Sequence, residues 1–169
     1  MMSPVVRPIA VGIRALSPFI WCLLLIALQL VPFGIPYALP IMPNLLLCGA
    51  FYWTVNRPEL MPIYALFILG LVFDLLHAGA VGLMSLTLIA VNRFAASERR
   101  IFSGRIFVLS WWGLAMVACG YGAVSWLFNS LYLGHWLELS PIAMQTLMTI
   151  SIYPVVAYGL GRFQRRVLD

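Results

Sequence analysis

The sequence predicts an all-α polytopic membrane protein, a six-transmembrane-helix bundle with both termini cytoplasmic. Composition is the first ground. Of the 169 residues 63% are hydrophobic and 9% charged, too little charge to cover a water-soluble core of this size. The second is spacing: six apolar segments approach the roughly 20 residues that a membrane crossing needs. The third is the placement of charge. The net charge of +5 comes from arginines alone. With the amino terminus inside and six alternating spans, Arg7, Arg14, Arg57, Arg93, Arg99, Arg100, Arg105, Arg162, Arg165 and Arg166 all fall on the cytoplasmic side, as the positive-inside rule requires.

Taken in order, the expected spans are 17–35, 39–56, 58–77, 80–96, 105–131 and 141–161, forming a single integral membrane domain over residues 1–169. The first follows Arg7 and Arg14 like a signal peptide. It is long enough to span, however, and no small-residue cleavage pattern follows it, so it is expected to be retained. Pro32 to Pro36 break the chain before the second span. Asn56-Arg57-Pro58 form the next turn, where Asn56 and Glu59 have the spacing of a capping box and Pro58 suits a first helical turn. Pro62 lacks an amide proton, so regular helix is expected only after it. Gly79 and Gly82 mark the turn into the fourth span; 97–104 and 134–141 are the remaining breaks. The fifth segment is overlong and is expected to tilt or to extend beyond the bilayer. Trp21, Trp53, Trp111 and Trp112 are expected at the inner interface, and Trp136 at the outer one.

The third segment is the centre of interest, because it alone carries an acid, Asp74, inside an apolar run. A carboxylate there costs several kcal/mol unless it is paired or faces a wet cavity. Gly70 lies four residues earlier, on the same helix face, and leaves a notch beside it; His77 is the nearest candidate partner. The helix dipole at the carboxyl end disfavours an anion, which leaves a structural hydrogen bond and a partner contact both open. Gln29, Asn44, Asp74, Ser85, Asn129 and Gln145 all fall within roughly 5–9 Å of the outer boundary, at about 1.5 Å per residue. Such a layer reads either as interhelical hydrogen bonds that hold the bundle or as a binding surface.

Catalysis finds little support. No zincin, serine-lysine or paired intramembrane carboxylate pattern occurs. An enzyme would have to use Asp74, His77, His135 and Glu138 together. Cys22, Cys48 and Cys119 lack metal or disulfide spacing. No metal, cofactor or nucleic acid is expected.

Several of these stretches resemble the rod-shape-determining protein MreD family. They are Met42-Pro43-Asn44, the Arg57-Pro58 turn, Gly70-Leu71-Val72-Phe73-Asp74-Leu75-Leu76, and the glycines Gly79 and Gly82. The chain departs from the pattern at His77-Ala78-Gly79, where many relatives carry Ser-Gly. The resemblance implies a non-enzymatic scaffold of the cell-elongation machinery in the bacterial inner membrane. It would dock the bitopic protein MreC and act more distantly with the actin-like MreB filament and the transglycosylase/transpeptidase pair of wall synthesis. Gly70, Asp74, His77, Asn44 and Gln145 are then the expected partner-binding residues, with Pro43, Arg57, Pro58 and Gly82 as structural motif positions. The layout also resembles the substrate-capture subunits of energy-coupling-factor transporters, so a vitamin-binding subunit is the alternative. Its capture loop would be long and polar, whereas the first outer loop here is short and apolar.

Overall fold

The computed structural model describes residues 6–30, 42–77, 81–97, 107–134, 136 and 138–167. Its described residues form six α-helices: α1 (Val6–Leu30), α2 (Leu45–Asn56), α3 (Ile63–Leu76), α4 (Leu83–Ser97), α5 (Phe107–Leu133) and α6 (Ser140–Val167). A single 3-10 turn, Pro58–Leu60, links α2 to α3. The all-helical expectation holds. Gly79, His135 and the first outer loop lie outside the described residues.

Lengths separate the helices into two kinds. Within α5 and α6, Val108–Tyr132 and Ser140–Gln164 are long and apolar enough to cross a membrane. By contrast α2, with 12 residues, and α3, with 14, reach only about 18 and 21 Å at the usual rise. Local chemistry sets these short limits. Asn44 caps α2, its Oδ1 accepting the Leu47 N–H at 3.0 Å, so Met42 to Asn44 stay non-helical. Pro62 precedes the first residue of α3 in extended conformation, as its missing N–H suggests. The capping box expected at Asn56 and Glu59 does not form. Asn56 ends α2 instead, its amide donating to the Tyr52 carbonyl at 2.8 Å.

Helix α2 is the middle of the packing. It touches α1, α4, α5 and α6, and eight of its residues, from Leu46 to Thr54, are buried. A helix that is apolar all round belongs in such a place. Trp53 is therefore a core residue, fully covered, and not the interface tryptophan the sequence suggested. Towards the far end of α6, Trp21 packs edge-on against Phe163 at 4.8 Å and the Tyr52 hydroxyl donates to Gln164 Oε1 at 3.0 Å. Outward, α5 and α6 present Trp112, Met116, Leu131, Leu147, Val155 and Tyr158. That much exposed apolar surface suits lipid and not water.

Candidate functional site

Three of the polar residues singled out above, Gln29, Asn44 and Asp74, hold non-helical backbone and neighbouring helices together. Residues 42–44 lie outside any helix, so their peptide groups need other partners, a strict demand wherever water is excluded. Side chains from two helices supply them. Gln29 Nε2 on α1 donates to the Pro43 carbonyl at 2.6 Å, and the Asn44 N–H donates to Thr149 Oγ1 on α6 at 2.9 Å. The Thr149 hydroxyl in turn donates to the Gln145 carbonyl at 2.7 Å. The Asn44 amide reaches Met84 Sδ on α4 at 3.8 Å. Asn44, 2% exposed, thus ties α2 to α4 and α6.

Asp74 works the same way between α3 and α4. Its Oδ2 accepts the N–H of Gly82 at 2.8 Å and of Met84 at 3.1 Å, with Oδ1 3.3 Å from the latter. Gly82 precedes the first residue of α4, has φ of 95°, and its carbonyl accepts the Leu86 N–H at 2.9 Å. It stands at the N-cap position without a side chain to cap with. Asp74 provides that side chain from the preceding helix. The carboxylate therefore leaves the unfavourable end of the α3 dipole for the favourable end of α4, and only 4% of the residue is exposed.

Gly70 lets α4 come this close. A Cβ there would collide with the Cα of Ser85 and lie 2.5 Å from its backbone nitrogen. Ser85 Oγ donates to the Phe67 carbonyl at 3.1 Å, closing the contact one turn lower. The notch inferred from Gly70 and Asp74 is present, and α4 of the same chain fills it. His77 stands apart on the surface, its ring stacked on Phe73 at 4.0 Å with Nδ1 3.1 Å from the Phe73 carbonyl. Gln145 is half-buried on α6, and Asn129 bonds within α5 to the Ser125 carbonyl at 2.8 Å. Of the structural motif residues, Pro43 and Gly82 belong to this polar set, while Pro58 opens the 3-10 turn elsewhere and Arg57 precedes it.

Sequence reasoning missed Thr149. Its signal was weak, a threonine within an apolar helix, and its partner is 105 residues away. It placed Trp111 at the inner interface but did not foresee its bond, in which Nε1–H donates to the Ile150 carbonyl at 3.0 Å. Pro154 lies four residues after Ile150 in α6 and cannot make the helical bond to that carbonyl. Among the described residues no group of His, Cys, Asp and Glu is placed to hold a metal ion.

No curated protein and no solved structure matches this chain. A family model described as rod shape-determining protein MreD matches residues 12–160, most of the chain, and the chain therefore belongs to the MreD family of membrane proteins that act in determining rod shape.

Proposed function

We propose that the chain is a non-enzymatic scaffold of the cell-elongation machinery, crossing the bacterial inner membrane six times with both ends in the cytoplasm. It docks an MreC-like bitopic protein and through it couples the MreB filament to the transglycosylase/transpeptidase pair of peptidoglycan synthesis. The family match over residues 12–160 carries this reading. The one-sided arginines support the orientation. Apolar helix faces turned outward support a partner met within the bilayer.

The five expected partner residues divide by accessibility. His77 and the half-buried Gln145 reach the surface and are proposed as direct contacts. Asn44, Gly70 and Asp74 face inward, and they serve the partner by holding α2, α3 and α4 in the arrangement it recognises. This distribution also favours the scaffold over the vitamin-capture subunit. A polar solute needs converging free donors and acceptors, whereas Asn44, Asp74 and Ser85 are engaged with the protein's own groups. Purification of the tagged chain in mild detergent tests the proposal. An MreC-like protein should co-purify, and His77→Ala with Gln145→Ala should weaken its recovery. Recovery of a transporter ATPase pair in its place would contradict the scaffold.

A further inference from the structure

Helices α4 and α5 approach each other loosely and leave a lateral groove of about 350 Å³ between them. Five positions on each helix line it, spaced i, i+1, i+4, i+5 and i+8 from Leu86 and from Met116. That spacing puts each set on one helical face. The walls are apolar apart from Thr87 and Tyr121, and the Thr87 hydroxyl is turned onto the Leu83 carbonyl of its own helix at 2.8 Å. Leu86, Met116 and Val124 are exposed along the opening, so the groove faces whatever surrounds the bundle. Gly120 forms part of its floor, with open space where a Cβ would stand.

Its form and charge select the occupant. From Leu86 to Phe94 the groove follows about 12 Å of helix, apolar along both walls and open to one side, which suits a flexible hydrocarbon chain lying along it. Charge marks one end. Arg93, exposed on α4, lies three residues after Ala90 and seven after Leu86, on the groove's edge and level with its Phe94 end. An arginine near a helix end extends along the surface towards the headgroup region and pairs with phosphate through a planar pair of N–H groups.

We propose that this groove is a lipid site: an acyl chain of an anionic phospholipid occupies it, and Arg93 holds that lipid's phosphate. The site is separate from the scaffold proposal and requires only that the chain lie in a membrane. Native mass spectrometry of the full chain, released from phosphatidylglycerol or phosphatidylcholine nanodiscs, tests it. The native protein should keep one bound phosphatidylglycerol about tenfold more than phosphatidylcholine, because the choline cation of the latter offsets the phosphate charge that Arg93 meets. Arg93→Gln should abolish that preference. Gly120→Leu and, independently, Ala90→Leu should fill the groove and lower retention of both lipids while thermal unfolding stays unchanged. Equal retention of the two lipids by the native protein overturns the proposal. So does a preference that survives Arg93→Gln, or full retention by both groove-filling variants.

Discussion

The carboxylate of Asp74 is attached at the carboxyl end of one helix and used at the amino end of the next. Two backbone N–H groups, those of Gly82 and Met84, converge on it, and little water reaches it. Deleting it would leave those donors unpaired in a covered place, at a cost of about 1–3 kcal/mol. Asp74→Ala should therefore lower the thermal stability of the purified protein by that amount, while Asp74→Asn, whose amide oxygen still accepts, should recover part of it. Unchanged unfolding of Asp74→Ala would show that the cap contributes nothing. The sequence singles out Asp74 and Gly70 because an acid and a notch on one apolar helix face are costly and rare. It could not name the partner. Capping side chains ordinarily reach two or three residues ahead, and here the donors lie eight and ten residues away.

At the scale of the helix, proline placement decides where backbone groups need outside help. Pro154 interrupts α6 and frees the Ile150 carbonyl, and Trp111 from α5 bonds to it. The freed carbonyl is legible from sequence alone, since the proline rule fixes which one it is. Its donor is 39 residues away and follows only from how α5 crosses α6. Trp111→Phe should destabilise the protein by about 0.5–1.5 kcal/mol, the net worth of a typical hydrogen bond. The same change in the Pro154→Ala background should cost much less, because the helix then satisfies its own carbonyl. Equal costs in the two backgrounds, measured by thermal unfolding, would mean that the two sites are uncoupled. The role of α2 was harder to read. Its 12 residues look like part of an ordinary span, and nothing local distinguishes a helix enclosed by neighbours from one facing lipid when both are apolar.

For the molecule as a whole, the polar layer and the close α3–α4 packing are one frame, with α2 at its centre. The outside of α5 and α6 is apolar, and Asn44, Asp74 and Ser85 are turned inward. The proposed orientation has a direct check: reporters fused after Leu76 and after Gly134 should read as periplasmic, and one fused after Ser97 as cytoplasmic. A cytoplasmic signal at Gly134 would exclude six alternating spans.

The dependence of rod shape on this frame is measured most directly in cells whose sole copy of the chain is replaced at native expression. Gly70→Leu forces a side chain into the backbone of Ser85, and overpacking of this kind costs about 1–3 kcal/mol or more. The substitution only makes the span more apolar, so it should still insert. Cells carrying Gly70→Leu should lose their rod shape and widen although the protein is present in the membrane, and cells carrying Asp74→Asn should remain nearer to rods. Rods of normal width with Gly70→Leu as the only copy would contradict a shape function built on the α3–α4 contact.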